Sequence, residues 1–172
     1  MGMAVETLVP VEQYLTTSYS PDCDYVDGVV LERNVGELDH SDLQTEIASW
    51  FRARRATLGL WAFVEQRVQV SEKRFRIPDV CLVLGRPTEQ IFRTPPFAVF
   101  EILSKDDRMR EMQERLDDYI AFGVPHIWLI DPRARRVFAW TPDGSRELKD
   151  GVLRSGDPAF ELSLAELYEA MA

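Results

Sequence analysis

The chain has 172 residues, of which 45% are hydrophobic and 28% charged, and these values are typical of one globular domain rather than a disordered or collagen-like chain. Its net charge of −9 argues against a protein that coats nucleic acid without specificity, since phosphate neutralisation requires a basic surface. The two cysteines are far apart in the sequence, which excludes a disulfide framework and a thiolate metal site.

The N-terminal third of the chain predicts a helix, a hairpin and a longer helix. Pro10 suits the first turn of a short helix over residues 11–17. Asp27-Gly28 lies between apolar flanks and accepts the positive φ angles of a tight turn, so residues 25–31 are predicted to form a hairpin. Apolar residues recur at helical spacing over residues 40–58, and this pattern predicts an amphipathic helix that ends at Gly59.

The middle of the chain predicts a hairpin followed by a strand, a helix and a strand. Residues 61–70 and 75–84 are predicted to pair as antiparallel strands. Residues 97–104 are apolar on both faces, which is typical of a central strand. The pattern then predicts a helix over residues 108–122 and a strand over residues 126–130, and so a βαβ unit.

The C-terminal part predicts one more strand and a final helix. The strand covers residues 136–140 and ends at a turn through Gly144, while Ser163 and Glu166 have the spacing of a capping box that begins a helix. We find no repeat and no flexible linker, so residues 1–172 are expected to form one domain. Without a long apolar run or a secretory signal, we expect no membrane span and a cytoplasmic location.

Two acidic residues interrupt strands that are otherwise apolar. Asp79 shares a strand face with Ile77 and Cys81, and Glu101 shares one with Val99 and Leu103. A buried carboxylate costs several kcal/mol unless it is paired, protonated or bound to a cation. Neighbouring strands lie about 5 Å apart, so both acids could bind one divalent ion such as Mg²⁺ or Mn²⁺. Alternatively, each acid could pair with an arginine, for example Arg76 or Arg115.

Several motifs, in this order and spacing, resemble the Uma-two family of bacterial endonuclease-like proteins. They are YVDGV at 25–29, His40, IPDV at 77–80, PPFAVFEILS at 95–104, RLDDY at 115–119, FGVP at 122–125 and IWLIDP at 127–132. The resemblance covers roughly residues 10 to 170. It implies an α/β fold of the restriction-endonuclease-like type, with a mixed sheet flanked by helices and an N-terminal hairpin, and a PD-(D/E)XK signature.

The resemblance also implies a chemistry, the metal-dependent hydrolysis of phosphodiester bonds in DNA. Asp79 matches the first acid of the signature and Glu101 the second, and the main-chain carbonyl of Ile102 would be the third metal ligand. Mg²⁺ or Mn²⁺ is the expected cofactor, because such an ion polarises a phosphate and lowers the pKa of an attacking water. We also expect a homodimer, as two-fold closure is the commonest symmetry.

The chain departs from the superfamily pattern at the signature lysine, whose position holds Leu103. In the family the basic residue, generally lysine, lies on the following helix instead, and here that position is Arg115. A guanidinium there could bind a phosphate bidentately, but it is a poor general base because it does not readily lose a proton. Arg115 is therefore a catalytic candidate, with a salt bridge to Glu101 or Asp118 in a degenerate site as the alternative.

Four further residues have weaker claims to a role. Lys105 could replace the missing lysine or lie in a solvated loop, and Glu46 could be another metal ligand or a surface acid. His40 could cap its helix, pack beside Trp50 or bind phosphate, and Gln66 could hold a water or a carboxylate. Two other functions stay open, a catalytically silent nucleic-acid-binding or protein-interaction module, and a structural fold with an internal ion-pair network.

Overall fold

The N-terminal elements of the computed structural model, which describes residues 7–172, follow the prediction closely. Helix α1 (Val11–Thr16) precedes the antiparallel strands β1 (Cys23–Val26) and β2 (Val29–Glu32). Their turn places Asp27 at φ 50° and Gly28 at φ 99°, the left-handed values that the dipeptide predicts. The long predicted helix is present as α2 (Leu38–Ala53) and a short α3 (Arg55–Leu58) that ends at Gly59.

The prediction of the central hairpin is wrong in one respect. Each of its two predicted strands is divided into two shorter strands, and the two halves belong to different sheets. The four strands are β3 (Leu60–Val64), β4 (Val68–Ser71), β5 (Arg74–Arg76) and β6 (Val80–Leu84). β3 pairs with β6 in one sheet, and β4 pairs with β5 in another. Glu65 has a positive φ of 49°, and Pro78 has no N–H to donate to a strand ladder. Each of the two predicted strands is therefore interrupted at one of these residues, where the chain passes from one sheet to the other.

The predicted βαβ unit is confirmed. Strand β7 (Ala98–Ile102), helix α4 (Met109–Phe122) and strand β8 (His126–Asp131) follow one another, and β7 is parallel to β8. All five residues of β7 are buried, as expected for a central strand. Gly123 ends α4 at φ 95°.

The C-terminal part contains more strands than the sequence predicts. β9 (Arg136–Thr141) pairs with β10 (Gly144–Glu147), and β11 (Val152–Ser155) pairs with β12 (Phe160–Ser163) before helix α5 (Leu164–Ala170). Ser163 precedes α5, but its side chain makes no capping hydrogen bond, so the predicted capping box is wrong. Among the described residues, no helix is long and apolar enough to span a membrane.

The strands form a mixed six-stranded sheet in the order β10-β9-β8-β7-β6-β3, a four-stranded sheet in the order β2-β1-β5-β4, and the β11-β12 pair. One face of the large sheet packs against α2 and α5 through an apolar cluster that includes Phe51, Phe100 and Leu164. Val99 belongs instead to the cluster that includes Met112 and Leu116 of α4. Because side chains alternate along a strand, Glu101 lies on the α4 face of the sheet with Val99.

Candidate functional site

Strand register brings the two predicted acids opposite each other. In the antiparallel pair β6 and β7, Val80 pairs with Phe100 and Cys81 pairs with Val99. One further step places Asp79, just before β6, opposite Glu101, where side chains of facing residues begin about 4.5–5.5 Å apart. The main-chain N–H of Ile102 donates a hydrogen bond of 2.7 Å to Asp79 Oδ2. Asp79 is 3% exposed and Glu101 is fully buried.

Two basic side chains, one just before α2 and one on its first turn, contact Asp79. Arg33 donates to Asp79 Oδ1 at 2.8 Å, and His40 Nε2 lies 3.2 Å from Asp79 Oδ2. Burial acts to raise the pKa of Asp79, but the hydrogen bond from His40 and the charges of His40 and Arg33 outweigh burial and lower this pKa. Burial acts to lower the pKa of His40, but the hydrogen bond to Asp79 and the negative charges of Asp79 and Glu101 together outweigh burial and raise this pKa. Asp79 is therefore held as a carboxylate.

Helix α4 contributes the partners of Glu101. The hydroxyl of Tyr119 donates to Glu101 Oε1 at 2.6 Å, and Arg115 Nη1 donates to Glu101 Oε2 at 3.3 Å. Residues four apart lie on one face of a helix, so Arg115 and Tyr119 approach the sheet together. Burial raises the pKa of Glu101 to about 7, against the lowering effect of Arg115.

A third buried acid, Asp24 of β1, lies between two arginines. It accepts hydrogen bonds from Arg115 Nε at 3.2 Å, from Arg76 Nη1 at 3.1 Å and from the N–H of Ile77 at 3.1 Å. Arg76 also donates to Asp118 of α4 at 2.7 Å. The ion pairs thus form a continuous network that joins the small sheet, the large sheet and α4.

The structure brings Asp79, Glu101 and Arg115 together, as the sequence predicts. Ile102 adjoins them, and its N–H is bonded to Asp79. The alternative pairings were partly correct. Arg115 does bind Glu101, but its second acid is Asp24 rather than Asp118, and the arginine on Asp79 is Arg33 rather than Arg76 or Arg115.

The four weaker candidates separate clearly. His40 contacts Asp79, a partner that the sequence did not suggest. Lys105 pairs with Glu37 at the surface, and Gln66 donates to the main-chain carbonyls of Arg67 and Gln90. Within residues 7–172, Glu46 makes no hydrogen bond or ion pair. The roles suggested for Lys105 and Gln66 are therefore not supported by their contacts.

Sequence reasoning missed Asp24, Arg33 and the hydroxyl of Tyr119 as members of the site. Asp24 carried a detectable sequence signal, since it is an acid between Cys23 and Tyr25, residue types that are often buried. Arg33 had no signal, because it follows a half-exposed strand in a polar segment. Tyr119 appeared as an apolar position of an amphipathic helix and as the last residue of the RLDDY motif, but neither pattern indicated a role for its hydroxyl.

The donor set of the site suits a hard divalent cation with few protein ligands. Within the described residues no group of three or more His, Cys, Asp or Glu side chains has a metal-holding arrangement. Mg²⁺, however, usually takes one or two carboxylates and keeps its other positions for waters and substrate phosphate. A carboxylate has about four lone-pair sites, so Glu101, with two hydrogen bonds, retains accepting capacity, and Asp79 retains less.

Comparisons with known proteins agree with this fold. A search of curated proteins finds no match. The structure is similar to that of a protein described as "a putative nuclease belonging to DUF820 from Anabaena variabilis ATCC 29413", with a TM-score of 0.82 and 22% identity over 95% of this chain and 100% of that chain. A more distant similarity, with a TM-score of 0.41 and 14% identity over 74% of this chain and 10% of the other, is to a chain of the DrdV-DNA complex.

The sequence itself also matches a family. The matching family model is Uma2, described as "Putative restriction endonuclease", and it covers residues 11–167. This span contains every residue of the site described above. A nuclease is the class of function that this family supports. The chain therefore belongs to the Uma2 family.

Proposed function

We propose that this protein is a divalent-metal-dependent endonuclease that hydrolyses phosphodiester bonds in DNA at a variant PD-(D/E)XK site. The observation that carries the proposal is the pair of desolvated carboxylates, Asp79 and Glu101, that face each other across β6 and β7. Family membership supports a nuclease, and the contact of Arg115 with Glu101 supports this location for the chemistry.

Asp79 and Glu101 would hold the metal, with the main-chain carbonyl of Ile102 as a third ligand. A bound Mg²⁺ or Mn²⁺ would polarise the scissile phosphate and lower the pKa of a water. Tyr119 and the N–H of Ile102 each donate a hydrogen bond to one of these carboxylates and fix its orientation.

Arg115 supplies positive charge to the reaction. Its pKa is raised well above the ordinary value, since the charges of Asp24 and Glu101 outweigh its burial, so it does not act as a base. Nε is bonded to Asp24 and Nη1 to Glu101, while Nη2 makes no hydrogen bond to a described residue. Nη2 is therefore available to a phosphate oxygen, where it would stabilise the negative charge that develops during hydrolysis.

The test is a cleavage assay on a panel of DNA and RNA substrates with Mg²⁺ or Mn²⁺. Asp79→Asn and Glu101→Gln should each reduce the rate of cleavage by about 100-fold or more, since each replaces an anionic ligand of the metal by a neutral amide. The exposed residues Asp143 and Glu72 provide matched controls, and Asp143→Asn and Glu72→Gln should cleave like the parent. Absence of metal-dependent cleavage in the parent would contradict the proposal.

Substitutions at Arg115 test its separate role. Arg115→Ala should reduce cleavage but leave Mn²⁺ affinity largely intact, because the carboxylates supply the ligands. Arg115→Lys should retain or raise activity, because it restores the residue type expected from the family. Undiminished cleavage by Arg115→Ala would refute the role of this residue even if Asp79 and Glu101 proved essential.

A catalytically silent nucleic-acid-binding or protein-interaction module is the second candidate. It is favoured by the ion pairs of the network, in which each buried acid already has an arginine partner without a metal. Asp79 pairs with Arg33, Glu101 pairs with Arg115, and Asp24 pairs with Arg76 and Arg115. Calorimetric titration with Mn²⁺ separates the two functions. A nuclease should bind the ion and lose that binding in Asp79→Asn, whereas a silent module should bind none.

The cytoplasmic location and the homodimer stay predictions. Sedimentation at micromolar concentration tests the homodimer, and a purely monomeric chain would count against it.

A further inference from the structure

The candidate catalytic acids are not accessible to a rigid polymer. Glu101 has no exposed surface, and the side chain of Asp79 is 5% exposed. Asp24, which shares Arg115 with Glu101, is also fully buried. Arg33 and Arg115, which pair with these acids, have side chains that are only 11% and 16% exposed. A phosphodiester must therefore enter a recess to reach the acids.

A cavity of about 750 Å³ lies beside this network, between β2 and the N-terminal half of α4. Arg76 and Arg115 line it, and each of these arginines donates a hydrogen bond to Asp24. The two guanidinium groups therefore separate the cavity from the buried acids. Arg76 is 2% exposed, and its Nη2 forms a salt bridge of 2.7 Å with Asp118 Oδ2.

The remainder of the cavity lining is of mixed charge. Arg108, which immediately precedes α4, and Arg110 on its first turn add two cations. The acids of the lining are Glu32, Asp106, Glu111 and Glu114. Duplex DNA carries a phosphate charge about every 1.7 Å of its axis, so it favours a broad basic surface. A lining of four arginines and four acids, on a chain with a net charge of −9, suits a few phosphates rather than the two continuous rows of a duplex.

We propose, on the basis of the function proposed above, that the site takes single-stranded DNA, with one phosphate of the strand between Arg76 and Arg115. The cavity falls within the range of about 300–1,000 Å³ that small-molecule sites occupy, which is room for one or two nucleotides. An unpaired strand bends freely into such a recess. A duplex is stiff over about 150 base pairs and would first have to unpair.

Binding tests the inference independently of cleavage. Fluorescence anisotropy would compare a labelled single strand of about 12 nucleotides with the blunt duplex of the same sequence, in EDTA so that no cleavage occurs. The single strand should bind about tenfold more tightly than the duplex. Arg110 lines the same cavity, so Arg110→Glu should weaken single-strand binding. It should also reduce the magnitude of the slope of log affinity against log salt by about 1. Arg146→Glu, on the distant strand β10, is the matched control and should bind like the parent.

Each result has a defined meaning. Tighter binding of the duplex, no binding of either form, or single-strand binding that Arg110→Glu leaves unchanged would overturn the inference. The cleavage panel reports separately on the proposed function. Metal-dependent cleavage of duplex alone would leave the nuclease standing and remove the single-strand preference. Cleavage of the single strand, lost in Asp79→Asn, would support both.

Discussion

Two buried regions of this protein are built on different physical principles. The core between the large sheet and helices α2 and α5 is apolar, with side chains such as Phe51, Leu82 and Phe100 fully buried. On the other face, where the large sheet meets α4 and the small sheet, lies the charged network around Asp24 and Glu101. The first region tolerates apolar side chains of suitable shape, whereas the second requires a specific partner for every charged side chain.

The difference lies in what one deletion leaves behind. Removing an apolar side chain leaves a cavity whose cost depends on how far the neighbours relax. Removing one member of a buried ion pair leaves an uncompensated charge in a medium of low polarity, which is strongly destabilising. The stability of the charged region therefore requires all members of its ion pairs to be present together.

Arg115→Met should produce the largest loss of stability. The substitution keeps the apolar volume but leaves Glu101 without a cationic partner and Asp24 with only Arg76. We expect the free energy of unfolding to fall by about 3–5 kcal/mol, as measured by urea denaturation. Arg110→Met, on the exposed side of the same helix, should stay within about 0.5 kcal/mol of the parent. Equal effects of the two substitutions would show that the network contributes no specific stability.

Leu82→Ala measures the apolar region on the same scale. Leu82 is fully buried on β6 in the cluster under α2. Its truncation should cost about 2–5 kcal/mol, and Leu82→Met, which nearly conserves volume, should cost less than about 1.5 kcal/mol. A cost for Leu82→Met as large as that for Leu82→Ala would contradict the claim that shape alone matters here.

The same contrast explains how much of the fold was predictable from the sequence. Periodic apolar residues identified α2, α4 and the βαβ unit because local pattern and buried face coincide there. Strands β10 to β12 were missed, since each has only four residues and few of these are buried, so the apolar pattern that marks a strand is weak there. The central hairpin was predicted as continuous, because a change of sheet at Glu65 and Pro78 leaves the alternation of each half intact.

The candidate site was predictable only where a charge interrupts an apolar pattern. Asp79 and Glu101 met that condition, and Arg115 was found through the family motif. Arg33, in contrast, meets Asp79 from a position 46 residues away, and Asp24 meets Arg115 over a separation of 91 residues. Such pairs depend on the three-dimensional arrangement of the sheets, which no local spacing records.

Tyr119→Phe should have a smaller effect, since it removes one hydrogen bond but no charge. The Tyr119 hydroxyl donates a hydrogen bond of 2.6 Å to Glu101. Above the pKa of Glu101, which is about 7, the acceptor is a carboxylate, and a hydrogen bond to a charged group contributes about 1.5–3 kcal/mol. Tyr168→Phe removes a bond of 3.1 Å to the carbonyl of Pro132 and is the neutral counterpart, at about 0.5–1.5 kcal/mol. If urea denaturation showed Tyr168→Phe to be the more costly of the two, the charge of Glu101 would not strengthen the Tyr119 hydrogen bond, contrary to the prediction.

The smallest expected effect concerns Gly36, which leaves room for His40. A Cβ at Gly36 would lie 2.7 Å from His40 Nδ1, whereas a Cβ at Gly156 would meet nothing within 4 Å. Gly36→Ala should therefore displace the imidazole from Asp79 and cost about 1 kcal/mol, while Gly156→Ala should not destabilise the fold.

The pKa of His40 gives a direct measure of that displacement. The chain has two histidines, so an NMR titration can follow His40 with His126, whose pKa burial lowers, as the internal reference. In the parent the Asp79 contact raises the pKa of His40 above 6.5, and Gly36→Ala should lower it. A raised pKa stabilises the fold fully below 6.5, and this contribution disappears as the pH rises through the folded-state value. The cost of Gly36→Ala should accordingly be larger in acid and shrink above neutrality, and a cost independent of pH would mean that the His40 and Asp79 contact is not what Gly36 protects.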